Sequence, residues 1–221
     1  MATGRKDWRK YYRRRQPRVG GGRVYKISDL VSARERNQRE VDEVLTVARD
    51  VEKKYSSVLQ GTFQVANMGK GSSTMGYFDY GGNLAIGQNY FDSDRMTTAY
   101  DECVKQGYHP SRGNKTGIEA VVAHEMGHKL SNDAAIKMGL GHWRLHDASD
   151  IIVEEALKKV WRYKNNSKPK TVFDMQKAIS GYAQENNAEC VAEAFADVYC
   201  NKKKAKAESR AIVSVLEKYL K

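Results

Sequence analysis

Gly117-Ile118-Glu119-Ala120-Val121-Val122-Ala123-His124-Glu125-Met126-Gly127-His128-Lys129-Leu130 is the stretch that decides the fold. It has the length and composition of one helix. Ile118, Val121, Val122, Met126 and Leu130 recur at the i, i+3, i+4 spacing of a face packed into a core. At 3.6 residues per turn, His124 and His128 lie one turn apart on one side, so both imidazoles can converge on a single metal ion. Glu125 is rotated by about 100° from His124, so it can miss the ion and still meet a water bound there. Two histidine ligands, and a carboxylate that takes a proton from that water, make the arrangement of a zinc hydrolase. The same five positions can also arise by accident around two satisfied core histidines. Against that, two histidines and a glutamate on a packed helix are costly unless something satisfies them. Gly127 costs about 1 kcal/mol relative to alanine in a helix interior. A local rule broken beside candidate ligands is what a working site looks like.

A catalytic zinc usually needs a third protein ligand. The metzincin pattern places a histidine six residues after the second ligand, and that position is Ala134. A stronger candidate lies downstream, in the segment from Ser180 to Asp197. From Ala188 onward it reads as a helix, with Val191, Ala194, Phe195 and Val198 on one apolar face. Glu189, Glu193 and Asp197 fall at i, i+4 and i+8 and form an acidic stripe. Most such stripes are solvated faces. This one is bordered by Ala192 and Ala196, where a solvated face normally carries Lys, Gln or Arg. Small borders let another helix approach closely. Two acids one turn apart can divide the work, one binding metal and the other accepting the free N–H of a ligating histidine.

The histidine motif, followed by Tyr182, by Glu189 seven residues later and by Cys190-Val-Ala-Glu-Ala-Phe195, resembles the catalytic domain of anthrax lethal factor. It is also similar to the metallopeptidase domains attached to phage head-morphogenesis proteins. The matching stretches run from about Gly107 to Asp197. The resemblance implies an α+β, zincin-like metallopeptidase fold: a small mixed sheet with an edge strand, an active-site helix and a helical C-terminal half. It implies zinc as cofactor, with ligands His124, His128 and Glu189, and Glu125 as general base. It further implies Glu193 as the carboxylate behind a ligand and Tyr182 as a phenol that stabilises the oxyanion. A rival register takes Glu193 as ligand with Asp197 behind it, the E-x3-D pattern of thermolysin-like enzymes. Only the Glu189 register leaves a tyrosine at the spacing that the family uses.

Another class of zincin takes its third histidine from a Gly-His shortly after the helix, as His142 in Gly139-Leu-Gly-His142 would allow. That reading resembles the SprT-like proteases that act on DNA–protein crosslinks, and it leaves the Tyr182–Asp197 segment unexplained. A virion structural protein whose zincin domain has lost turnover is a further alternative, against which the intact Glu125 argues. His109 and His146 are expected on the surface, or lining the cleft without binding metal.

The 221 residues suit a single core. No run approaches the roughly 18 apolar residues of a membrane span, and no apolar stretch follows the charged N-terminus as in a secretory signal. Cys103, Cys190 and Cys200 are odd in number and widely spaced, which suits reduced thiols better than a disulfide framework. Cys190 and Cys200 read as small buried hydrophobes. The phage-type resemblance implies a phage or prophage protein in the bacterial cytoplasm or in a virion.

Of the net charge of +11, +8 resides in residues 1–23, which carry nine Lys or Arg against Asp7 alone. Residues 1–24 form a basic tail, expected to be disordered, that mixes arginines with Trp8, Tyr11 and Tyr12 and reaches Gly20-Gly21-Gly22. Residues 25–221 are expected, on the resemblance, to form the metallopeptidase domain. A helix is expected from Ser28 to about Leu59, with a Ser32/Glu35 capping box and Gly61 at its end. Strands follow at Thr62–Ala66, Met75–Tyr80 and Asn83–Gly87, the last two joined through Gly81-Gly82. Leu84-Ala85-Ile86 is expected to be the edge strand that pairs with an extended substrate. Further helices are read at 96–106, 133–139, 151–163, 172–179, 188–203 and 208–220.

The partners expected are a protein or peptide substrate and, through residues 5–23, nucleic acid or an acidic protein surface. If the tail binds polyanions, deleting residues 1–23 should weaken binding to DNA and RNA and flatten its salt dependence, because fewer counterions are released. Titrations at two salt concentrations would read this. Undiminished affinity would move the binding surface onto the folded domain.

Overall fold

The structure, a computed structural model, describes residues 23–26, 37–55, 62–68, 72–79, 83–142, 144–163 and 171–221. The tail before Arg23, the Ser32/Glu35 capping box, the Gly61 terminus and the Gly81-Gly82 turn lie outside the described residues. Four strands, β1 (Arg23–Lys26), β2 (Thr62–Ala66), β3 (Gly76–Phe78) and β4 (Leu84–Gly87), form one mixed sheet in the order β1-β2-β4-β3. The β2–β4 pair is parallel; β1 and β3 join antiparallel on either side. β1 begins at Arg23, two residues inside the segment read as the tail.

The edge strand expected at Leu84–Ile86 is corrected. β4 is paired on both sides, and β3 is the edge next to the candidate site. The reason is visible in the side chains. Leu84, Ala85, Ile86 and Gly87 are all buried and leave no polar residue to face water, as in a strand covered on both faces. Gly76, Tyr77 and Phe78 are each half-buried, as an edge strand tolerates.

Seven α-helices are described: α1 (Gln38–Tyr55), α2 (Ser93–Lys105), α3 (Gly117–Lys137), α4 (Leu145–Tyr163), α5 (Val172–Ile179), α6 (Asn187–Asn201) and α7 (Ala207–Tyr219). In α1, Val41, Val44, Leu45, Ala48 and Val51, which recur at helical spacing, form a buried face. α2 starts three residues earlier than its apolar pattern, because the Asp92 side chain accepts from Arg95 N and caps it. The separate helix read at 133–139 does not exist; α3 runs unbroken to Lys137. Ser131 satisfies its hydroxyl by donating to Gly127 O, and Lys129 pairs with Asp133 one turn on. Polar residues that look like a break are thereby absorbed within the helix.

α3 is the centre of the molecule, buried nearly all round from Gly117 to Ala135, and it packs against α1, α2, α4 and α6. A helix buried on nearly every side belongs to the interior. Its most extensive contact is with α6, and the two backbones come close at Gly127. A Cβ built on Gly127 would stand 2.7 Å from Ala192 Cα and 3.2 Å from Phe195 Cβ.

That contact predicts the effect of a methyl group. Gly127→Ala gains about 1 kcal/mol of helix propensity, but overpacking against a backbone atom typically costs about 1–3 kcal/mol. The thermal midpoint should therefore fall by a few degrees, and further in Gly127→Val. A midpoint at or above wild type in calorimetry would mean that the two helices do not meet here.

Candidate metal centre

Local signals set the two helices that carry the candidate ligands. A capping box starts α3: Thr116 accepts from Glu119 N, and the Glu119 carboxylate accepts from Thr116 N. Asn186 caps α6 by accepting from Ala188 N and Glu189 N, which sets Glu189 in the first turn. The Gly127–Ala192 crossing then brings that turn against the histidine face of α3. Glu189 Oε2 lies 3.1 Å from His124 Nε2 and 3.2 Å from His128 Nε2. Among the described residues, His124, His128 and Glu189 are the group whose ligand atoms all fall within 4.8 Å of one another, and they could hold a metal ion.

The donor set fits such an ion. Two atoms each about 2.0–2.2 Å from a tetrahedral metal stand roughly 3.3–3.6 Å apart, close to the two spacings observed. Glu189 Oε2 is buried, yet neither imidazole contact has hydrogen-bond geometry, so a buried anionic oxygen is left for a cation to satisfy. Burial pushes the Glu189 carboxyl up, but the imidazoles of His128 and His124 outweigh it and hold Glu189 well below the usual carboxylate range. Burial alone would lower His124; the carboxylates of Glu189 and Glu193 raise it well above an ordinary histidine instead. Both shifts describe a field that favours positive charge where the imidazoles meet.

Glu193, fully buried, stands behind this group. Its Oε1 accepts from His124 Nδ1 at 2.7 Å, its Oε2 accepts from Ser180 Oγ at 2.7 Å, and His109 Nδ1 lies 3.1 and 3.2 Å from the two oxygens. Burial pushes this carboxyl up too, but the bonds from His109 and His124 bring it down to about 2. An ionised carboxylate on Nδ1 leaves the His124 Nε2 lone pair for a metal. Asp197 is committed elsewhere: it accepts from Asn201 Nδ2 at 2.8 Å and from Lys206 N at 2.9 Å, tying α6 to the start of α7. The register with Glu193 as ligand and Asp197 behind it is therefore not the one observed. His142 is exposed, in the turn after α3, and outside the three-residue group. His146 is half-buried, near enough for His128 to act on it; burial and then that charge lower its pKa.

A cleft of about 600 Å³ opens beside the histidines, and His124, Glu125, Tyr182 and Glu193 all line it. Burial raises Glu125, and the two imidazoles only partly offset this. Gly76 of β3 lies against that carboxylate, since a Cβ there would stand 3.3 Å from Glu125 Oε1. Tyr182 stacks on His124 with ring centroids 5.6 Å apart. Burial first, then Glu189 and Glu125, raise its phenol far above the ordinary value, so it remains a donor. Tyr182 is held by the loop before α3: Gly181 N donates to Gly107 O and Tyr182 N to Tyr108 O. Reading the sequence missed Ser180 and the part played by His109. Their distances along the chain from the motif follow no helical or strand period, and only the paired loops bring them to Glu193.

No family model, curated protein or solved structure matches the chain. The centre can be tested directly. Zinc at a hundred times its Kd should stabilise the protein by about 2.7 kcal/mol, raising the midpoint by roughly 5–11 °C. Glu189→Ala should abolish most of that rise. An equal rise in Glu189→Ala and in His142→Ala would exclude both as ligands.

Proposed function

We propose that the chain is a zinc-dependent endopeptidase of the Glu-ligand zincin type. The observation that carries this reading is that one member of a three-ligand group, His124, lines the same cleft as a buried carboxylate, Glu125, and a half-buried phenol, Tyr182, that are not ligands. His124, His128 and Glu189 would hold the ion. A zinc ion there supplies a Lewis acid for a peptide carbonyl and makes a water a stronger nucleophile near neutral pH.

The chain's own groups do the rest. Glu125, with its affinity for protons raised by burial, takes a proton from the attacking water and returns it to the departing amine. Tyr182 donates its O–H to the carbonyl oxygen as negative charge grows there. Glu193 keeps His124 in the tautomer that presents Nε2. β3, an edge strand whose lead-in Ser73–Met75 forms one wall of the cleft, offers main-chain hydrogen bonds to an extended peptide. That geometry favours an unfolded segment over a folded surface.

Two substitutions separate chemistry from binding. Glu125→Gln keeps size and removes the base, so zinc should stay bound while kcat falls by about 10²–10⁴-fold. Tyr182→Phe should lower kcat by about 10²–10³-fold with little change in zinc affinity. Zinc-loaded wild type that cleaves nothing in a broad peptide library would overturn the endopeptidase reading.

A further inference from the structure

Glu193 binds two imidazoles, and the metal accounts for only one of them. His109 donates Nδ1–H to it, because an ionised carboxylate can only accept. Satisfying a carboxylate oxygen does not require histidine; Ser180 does the same for Oε2 with a hydroxyl. The ring is also held on several sides. It stacks on Tyr100 with centroids 5.1 Å apart and planes 6° from parallel, and it meets Tyr108 and Tyr182 edge-on at 5.1 and 5.6 Å. His109 lines the same cleft as His124, Glu125 and Tyr182. Its remaining polar atom is Nε2, and the tautomer that gives Nδ1–H to Glu193 carries its lone pair there. The result is a rigid, oriented acceptor beside the phenol.

We propose that His109 is a further catalytic residue of this cleft, its Nε2 accepting a hydrogen bond from a backbone N–H of the peptide substrate beside the scissile bond. The contact pairs with that of Tyr182: the phenol takes the carbonyl oxygen, and the imidazole takes an amide hydrogen of the same peptide. Glu193 thereby couples metal and substrate, holding one imidazole toward each. The inference rests on the endopeptidase reading above.

The test uses the full chain loaded with zinc and the best-cleaved member of a fluorogenic peptide library. His109→Asn keeps a donor where Nδ1 stands and removes Nε2; His109→Gln keeps a polar group near Nε2 and loses the bond to Glu193. We expect His109→Asn to retain the thermal midpoint and the zinc affinity, measured against a chromophoric chelator, while kcat/KM falls by about 10- to 100-fold. His109→Gln should weaken zinc binding, as loss of a partner behind a ligand does. N-methylating the amides flanking the scissile bond, one at a time, should lower wild-type cleavage at one position and leave His109→Asn no worse there. An active wild type with equally active His109→Asn would overturn the inference, as would loss of zinc in His109→Asn as large as in Glu193→Ala. Wild type that binds zinc and cleaves nothing would instead remove the endopeptidase reading, and the inference with it.

Discussion

A methyl group on residue 127 would stand 2.7 Å from Ala192 Cα, so the missing side chain of Gly127 is what lets the α3 and α6 backbones touch. A glutamate is short, and its carboxylate reaches an imidazole on a neighbouring helix only if the two axes are close. With the backbones in contact, Glu189 meets His124 and His128, and one turn on Glu193 meets the far side of His124. The helix propensity given up at Gly127, about 1 kcal/mol, is small beside the several polar contacts that the approach permits.

Those contacts explain how a packed interior tolerates so much charge. Glu125, Glu189, Glu193 and His124 are all buried. An isolated charge in such a place would be strongly destabilising. Glu193 is balanced by three donors, on His124, His109 and Ser180. Glu189 Oε2 has only the attraction of two imidazole edges, without a directed hydrogen bond. Between Glu189 and Glu193, the carboxylate oxygen left short is the one that faces both Nε2 atoms. That asymmetry separates an oxygen suited to a cation from one suited to holding side chains in place. Glu125 is shifted the other way, towards the protonated form, by burial at the cleft wall.

The second structural element of the site is less regular than the helices. The 107–109 loop and the 181–182 loop pair through two main-chain hydrogen bonds. This pairing carries Tyr182 onto His124 and His109 onto Glu193, although neither lies on a long helix. Across the cleft, β3 sets an edge strand against α3, with Gly76 giving room for the Glu125 carboxylate. One wall thus offers main-chain groups, and the other offers rings and a phenol.

The helix bearing His124 and His128 was legible in the sequence because it obeys a local rule: a 3.6-residue period sets side-chain direction without help from the rest of the chain. The stripe Glu189–Glu193–Asp197 was legible for the same reason, and its alanine borders pointed to a close neighbour. What period and composition could not decide was which acid meets which imidazole, because a stripe at i, i+4, i+8 fits a partner helix in two registers. The crossing point at Ala192, set by packing, chose Glu189 for the imidazole pair and sent Asp197 to the start of α7. The sheet edge was undecidable for a similar reason, since β4 is placed by pairing with β2 rather than by its own pattern. His109 lies outside any periodic element, and its tie to Glu193 spans 84 residues. Local chemistry determined which residues could bind; the distances between distant segments, which only the packed chain defines, decided which of them meet.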